Sequence, residues 1–324
     1  MKAVIINEDQ SLSWGEVDHP NINDHEVLIR VSATAINRAD LMQRKGFYPP
    51  PPGASEIMGL ECAGEIVEVG AGCTRFKVGD KVCALLAGGG YSQYASAHEG
   101  SVVPIPDGVS DEQAAALPEV FATAWLNLFI EAGLKAGDKT IIHAGASGVG
   151  TTAIQLCKPF GASSFVTVGS SDKLRACIEL GAVGGFNRHD GSFLEAAKTF
   201  AGESGVDVIL DPVGAGYLSD NLSLLGLGGR LVLIGLMGGT KAELDLAQMM
   251  MKRARVIGST LRTRPVTEKA VVMAQLEEKV WPKIVSQEIK PIIEAVFPIT
   301  GVADAHDLVA SDTTTGKVIL TVGH

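Results

Sequence analysis

Six short β-type runs separated by helix-like segments constrain this chain more than any other feature. They are "KTIIHA" (139–144), "SFVTV" (164–168), "GGF" (184–186), "VDVILD" (206–211), "GRLVLIG" (229–235) and "RVIGS" (255–259). Strand and helix in strict alternation predict a doubly wound α/β domain with a parallel sheet over about residues 119–263. Ligands of such sheets bind beyond the carboxyl ends of the strands, at the point where the strand order reverses.

The first of these strands runs into "HAGASGVGTTAIQL" (143–156), which reads as strand, tight turn and helix. Glycines there let the backbone approach a ligand closely, and the free N–H groups and dipole of the helix start favour an anion such as a pyrophosphate. Gly145, Ser147, Gly148, Val149 and Gly150 are the candidate cradle. Against G-x-G-x-x-G, serine stands where the middle glycine is expected, and no G-K-[ST] follows to make a P-loop. Pro159 predicts that the helix ends or kinks near that position.

Residues 1–118 use a different grammar. Runs such as "KAVII", "EVLIRVSATAI", "AGEIVEV" and "DKVCALL" alternate with period two and are bounded by glycine or proline. This predicts a compact antiparallel or barrel-like domain. "YPPPPGA" (48–54) is a stiff surface loop. The tail from 264 is helix-like and ends in the alternating run "GKVILTV" (316–322), expected to rejoin the first domain's sheet. The domains are then 1–118 with 264–324, and 119–263.

A formal net charge of −10 argues against nucleic acid or an anionic membrane as the main partner. No run approaches the ~20 apolar residues of a membrane-spanning helix, and the start of the chain does not resemble a secretory signal. A cytoplasmic protein is expected. The five cysteines form no C-x-x-C pair and read as buried thiols. The seven histidines, at 19, 25, 98, 143, 189, 306 and 324, show no metal-ligand spacing, and His143 on a strand reads as a satisfied core histidine.

The second strand chooses among dinucleotides. An acidic residue about 20 positions beyond the glycine turn accepts hydrogen bonds from a ribose in NAD sites. Here Gly169 lies 19 residues beyond Gly150, in "VTVGSSDK", and no carboxylate ends the strand. Gly169 leaves space, Ser170 and Ser171 offer hydroxyls and Lys173 a cation, a set suited to the 2′-phosphate of NADPH. Asp172 reads as a residue complementing the dipole of the following helix. Arg188, in "FNRHD", is either a second cation near the phosphate or adenine, or a solvated arginine. S-adenosylmethionine, whose sites usually want an acidic ribose partner, fits less well.

The run "AINRADLMQRKGFYPPPPGASEIMGLECAGEIVEVG", the glycine turn, "GLMGG" and "GKVIL" together resemble the zinc-free quinone oxidoreductase branch of the medium-chain dehydrogenase/reductase family, nearest its tumour-suppressor-inducible and bacterial members. The resemblance covers essentially the whole chain. It implies a GroES-like β-barrel catalytic domain, a Rossmann domain binding NADPH, a small-molecule quinone substrate and a homodimer. Zinc members carry a cysteine where this chain has Asn37 and a histidine within the segment Gly59, Leu60, Glu61, so no catalytic metal is expected.

By the same resemblance Asn37 and Tyr48 line the substrate side of the nicotinamide pocket, with Asp40 orienting their loop. Thr123 and Val213 lie near the nicotinamide, and Gly235, Leu236 and Met237 near its carboxamide. Without a Lewis acid the substrate must accept hydride readily, as quinones and activated enones do, and catalysis rests on orientation. Reduction of α,β-unsaturated carbonyls and a non-catalytic NADPH-binding role are the alternatives.

Overall fold

A computed structural model describes all 324 residues. The chain divides into two compact units, Met1–Ala122 with Leu261–His324, and Thr123–Thr260. The boundaries expected from composition, at 118/119 and 263/264, sit a few residues away. The first division falls inside the helix Pro118–Trp125, which carries no glycine or proline after its first residue to mark a break.

The amino-terminal segment supplies β1 (Lys2–Ile6), β2 (Leu12–Glu16), β3 (Glu26–Ala35), β4 (Glu61–Val69), β5 (Lys81–Leu85), β6 (Tyr94–His98) and β7 (Val102–Pro104). The middle segment supplies β8 (Lys139–Ile142), β9 (Ser163–Val168), β10 (Gly184–Asn187), β11 (Val206–Asp211), β12 (Leu225–Leu233) and β13 (Arg255–Gly258). β14 (Ile293–Pro298) and β15 (Lys317–Thr321) complete the set.

In the first unit the sheet order is β14-β15-β3-β4-β5-β7, with β6 also paired to β3. Ten-residue β3 is the spine: β4, β6 and β15 all lie antiparallel to it. Its inward residues Val27, Ile29 and Val31 have no exposed surface and pack with Met58, Ile66 and Leu320. The period-two pattern puts apolar side chains on one face, and burying them drives the sheet to close over its core. The terminal strand pairs with β3 through Ile319, Leu320 and Thr321, which binds the tail to the amino-terminal segment.

The second unit is a six-stranded parallel sheet in the order β10-β9-β8-β11-β12-β13. The order reverses between β8 and β11, the switch point of the Rossmann arrangement. Ile141, Ile209 and Leu231 on the central strands are fully buried. The helix Gly148–Cys157 stops two residues short of Pro159. β12 starts earlier than its sequence pattern indicates, because "LGLGG" stays extended through a register shift between β11 and β12.

Candidate functional site

The glycine turn sits immediately after β8, at the carboxyl end of the first central strand. The left-handed turn residue is Ala144, at φ 52°, and none of the three glycines of the turn. Close approach explains the glycines instead. A Cβ on Gly150 would meet the main-chain oxygens of Ala144 and Gly145 at 2.4 and 2.5 Å, and one on Gly145 would meet Val166 Cβ at 2.7 Å. Ser147 caps the helix, its hydroxyl accepting from the Gly150 N–H at 3.0 Å. One of the helix-start donors expected to be free is therefore engaged by the serine that replaces the middle glycine. The N–H groups of Gly148 and Val149 lie in the same first turn. Packing this tight leaves a surface of backbone with almost no side chain, which fits a pyrophosphate.

At the end of β9, Gly169 stands beside Arg188: a Cβ there would lie 3.4 Å from Nη2 and 3.5 Å from Cζ of the guanidinium. Ser170 caps the helix Ser171–Leu180 by accepting from the Lys173 N–H at 3.2 Å, so Ser170, Ser171 and Lys173 occupy one helix start. Asp172 lies in the first turn and pairs with Arg175 at the surface. Gly169, Ser170, Lys173 and Arg188 thus form a cationic and hydroxyl-bearing corner without an acidic strand end, which fits a phosphate better than a ribose hydroxyl.

Two loops at neighbouring strand ends are knitted together. Ile234 N–H donates to Asp211 O, Met237 N–H to Pro212 O and Gly238 N–H to Val213 O, at 2.9, 3.1 and 2.7 Å. Gly235 is needed because a Cβ would lie 2.8 Å from Pro212 O. Val213 is half-buried in this pair, and Leu236 and Met237 are exposed. Thr123 is half-buried, and its carbonyl accepts from Asn127.

Beneath the loops runs a buried chain that residue spacing did not reveal. His143 Nδ1 meets Thr167 Oγ1 at 2.9 Å and its Nε2 meets Asn221 Oδ1 at 2.7 Å. Asn221 in turn donates to Asp211 Oδ2 at 3.0 Å, and Asp211 Oδ1 accepts from the N–H groups of Val213 and Gly214. Both nitrogens of His143 are satisfied, and burial lowers its pKa to about 4, so the ring is neutral.

The first unit gathers ionisable side chains around Asn37. Lys317 Nζ donates to Glu61 Oε1 and Asn37 Oδ1, each at 2.7 Å, and to Ile36 O at 2.9 Å. Asn37 Nδ2 donates to Glu61 Oε1 at 2.9 Å, and Glu61 Oε2 accepts the Glu119 N–H at 2.9 Å. Asp40 has no exposed surface. It accepts from the Asn37 N–H at 2.7 Å, the Tyr91 hydroxyl at 3.1 Å and the Gly59 N–H at 3.2 Å. Asp40 thus has no surface with which to touch a substrate, and its hydrogen bonds hold the start of the helix Arg38–Arg44. Burial raises its pKa to about 6, against the Asn37 N–H and the Lys317 charge.

Tyr48 is half-buried on the proline loop. The Arg262 guanidinium lies over its ring, 5.2 Å from the centroid, and donates to its carbonyl at 3.2 Å. Arg262 also donates to Ala87 O and to Gln43 Oε1, at 2.7 and 2.8 Å. Lys269 Nζ donates to the Arg262 carbonyl at 2.7 Å. One buried arginine thereby ties the proline loop to the helix that begins at Asn37. Arg262, Glu61, Lys317, Lys269 and Glu119 were not singled out as site residues. The available signal was a charged residue set in an otherwise apolar run, as in "GLECAG" and "GKVIL".

A family model described as "Alcohol dehydrogenase GroES-like domain" matches residues 23–107, and one described as "Zinc-binding dehydrogenase" matches residues 148–277. The quinone oxidoreductase of Rattus norvegicus is 32% identical over 306 residues, which is 93% of this chain and 90% of the relative. Among solved structures, the Escherichia coli quinone oxidoreductase complexed with NADPH superposes with a TM-score of 0.86 at 27% identity, covering 99% of this chain and 98% of the other. The CurK enoyl reductase does so with the same TM-score and identity, covering 99% of both chains. The chain belongs to the medium-chain dehydrogenase/reductase family, in its quinone oxidoreductase branch, and is an oxidoreductase with a GroES-like unit and a Rossmann-like unit.

The zinc named by one family model does not fit these residues. An ammonium, Lys317 Nζ, sits 2.7 Å from both Asn37 Oδ1 and Glu61 Oε1, where a second cation would be repelled. No group of three or more His, Cys, Asp and Glu side chains is arranged to hold a metal ion. No helix is long and apolar enough to cross a membrane.

Proposed function

We propose that the protein reduces quinones with NADPH by hydride transfer, without a metal. The observation that carries the cofactor is the end of β9: Gly169 beside the Arg188 guanidinium, with no carboxylate and with Lys173 on the next helix. The Escherichia coli relative crystallised with NADPH supports the same reading. The quinone rests on the similarity to mammalian quinone oxidoreductases over 93% of the chain.

Gly145, Ser147, Gly148, Val149 and Gly150 would hold the pyrophosphate, the first and last by the close packing that only glycine permits. Gly169, Ser170, Ser171, Lys173 and Arg188 would hold the 2′-phosphate. Thr123, Val213, Gly235, Leu236 and Met237 would hold the nicotinamide end. When bound, NADPH supplies the hydride. Asn37 and Tyr48 would line the acceptor side, and each is held within its own unit, Asn37 by Lys317 and Glu61, Tyr48 by Arg262. Rate enhancement then comes from holding the reactants in register.

Apolar side chains exposed near the sheet edge at β13, among them Leu246, Met250 and Met251, suit pairing with a second copy, and we assign a homodimer. Four buried thiols among five free cysteines suit the reducing cytoplasm. A second reading, reduction of α,β-unsaturated carbonyls, is favoured by the likeness to the CurK enoyl reductase.

The test is NADPH oxidation by chelator-treated protein with an ortho-quinone, with NADH in parallel. Fast turnover with NADPH and slow turnover with NADH is expected. Restoration only by zinc, or a preference for NADH, overturns the proposal, and faster turnover of an enone transfers it to the second reading.

A further inference from the structure

We propose that Asn221 is a positioning residue for the nicotinamide end of the cofactor: held in one orientation by His143, it fixes the Asp211 carboxylate and, through it, the turn that carries Val213. The inference rests on the assignment of Val213 and residues 235–237 to that end of NADPH. It lies wholly within Thr123–Thr260.

Asp211 closes β11 and has no exposed surface. Its Oδ1 accepts from the N–H groups of Val213 and Gly214 at 2.5 and 3.2 Å, and its Oδ2 from the Gly214 N–H at 3.2 Å and from Asn221 Nδ2 at 3.0 Å. Asn221, on the helix Leu218–Leu224, is thus the side-chain donor to a buried carboxylate that is otherwise held by main-chain N–H groups. Hydrogen bonds alone make the burial of that charge tolerable. The turn they shape carries the next loop. Ile234, Met237 and Gly238 donate to the carbonyls of Asp211, Pro212 and Val213, and Ala215 donates to Gly239 O at 3.1 Å. Gly214 adopts φ 82°, and a Cβ there would meet Leu236 Cδ2 at 2.9 Å. Residues 235–237 therefore lie where the Asp211 turn puts them.

The direction of every bond in the chain follows from the charge at its end. A carboxylate only accepts, so Asn221 turns its NH2 to Asp211 and its oxygen to His143. His143 must then carry its proton on Nε2, which leaves Nδ1 to accept from the Thr167 hydroxyl. The chain crosses the carboxyl ends of three neighbouring strands, from Thr167 on β9 past His143 at the end of β8 to Asp211 on β11. Phe193 and Tyr217 close over the imidazole, with ring centroids 5.0 and 4.8 Å away, and Phe193 is itself buried. Sheltered in this way, each hydrogen bond is strengthened and each unpaired group is costly. Without the His143 N–H, the Asn221 amide has no reason to keep its NH2 toward Asp211. The histidine thus sets the amide, the amide the carboxylate, and the carboxylate the turn, which is how a supporting residue locks a binding site.

A histidine satisfied for core stability alone predicts something different. It would treat all of the cofactor alike, whereas a positioning chain acts on one end. The adenosine end is assigned to Gly169, Ser170, Lys173 and Arg188, beyond β9 and on the far side of β8 from the Asp211 turn. Adenosine 2′,5′-bisphosphate, which has the adenine and the 2′-phosphate but no nicotinamide, reads that end by itself.

The test measures the affinities of the full chain for NADPH and for adenosine 2′,5′-bisphosphate by calorimetric titration, together with the fluorescence of the bound reduced nicotinamide. Asn221→Leu should weaken NADPH about tenfold and leave the bisphosphate within about twofold of wild type. The fluorescence of its bound nicotinamide should move toward that of NADPH in water. His143→Leu should act in the same direction, and because it leaves Asn221 and Asp211 in place it supplies the comparison if Asn221→Leu does not fold. His143→Gln, whose amide offers a donor toward Asn221, should recover most of the NADPH affinity. Equal weakening of the two ligands, or unchanged NADPH affinity and fluorescence in the leucine variants, overturns the proposal. A His143→Gln no better than His143→Leu overturns the part given to the histidine. A wild type that binds NADPH but reduces no quinone overturns the reductase reading alone, because the ratio of the two affinities still decides this one.

Discussion

The two units build their candidate sites from opposite materials. In Thr123–Thr260 the surface is backbone: glycines packed to within 2.4 Å of where a Cβ would collide, helix starts capped by Ser147 and Ser170, and loops joined by main-chain hydrogen bonds. In the other unit it is side chain: Asn37, Glu61 and Lys317 hold one another, and Arg262 holds Gln43 and the Tyr48 carbonyl. A backbone site is rigid wherever the fold is intact. A side-chain site is only as rigid as its charge balance, because each buried ion left without its partner carries a large desolvation penalty.

The largest effect should come from breaking that balance. Lys317→Met removes the ammonium from Glu61, which has no exposed surface. Leaving a buried carboxylate unpaired costs about 3–5 kcal/mol, and scanning calorimetry should show a fall in Tm of roughly 10 °C. Adding Glu61→Gln to Lys317→Met should recover much of the loss, since the amide carries no charge to strand. A double variant as unstable as the single one would mean that packing, and not charge, holds this part of the sheet.

Breaking the backbone site needs only a methyl group. In Gly150→Ala the new Cβ has three main-chain atoms within 2.6 Å, none able to swing aside, so the helix must move off the turn. NADPH affinity should drop by about 100-fold, equivalent to ~2.7 kcal/mol, as read by quenching of protein fluorescence. Affinity within threefold of wild type would place the dinucleotide elsewhere.

The same contrast explains what could be read from the amino-acid order. The glycine turn and the parallel sheet were legible because their determinants are contiguous: an apolar run, a glycine turn and a helix within 139–157, repeated with variations to 259. The acid-free end of the second strand was legible for the same reason, although only the fold shows Arg188 beside Gly169. The charged cluster was opaque. Its members come from positions 37, 61, 119, 262, 269 and 317, of which 37, 61 and 317 meet through the pairing of β15 with β3 and of β3 with β4. No local pattern encodes such a meeting. The burial of Asp40 was opaque for a related reason: the chemistry of a carboxylate is visible in the sequence, but its loss of surface is not.

The smallest predicted effect tests whether the backbone site is as independent of side chains as its geometry implies. Ser147 was a candidate cofactor ligand, yet its hydroxyl accepts from the Gly150 N–H within the turn itself. Ser147→Ala removes that cap, which costs about 1 kcal/mol and should appear as a fall of roughly 2–4 °C in Tm. The cofactor should notice far less. Losing the serine acceptor releases the Gly150 N–H toward whatever anion occupies the helix start, so one donor to the phosphate is gained as the cap is lost. The expected change in NADPH affinity is under about threefold, measured beside Gly150→Ala in the same titration. A tenfold loss would show that the hydroxyl itself binds the pyrophosphate, and that the cradle depends on a side chain after all.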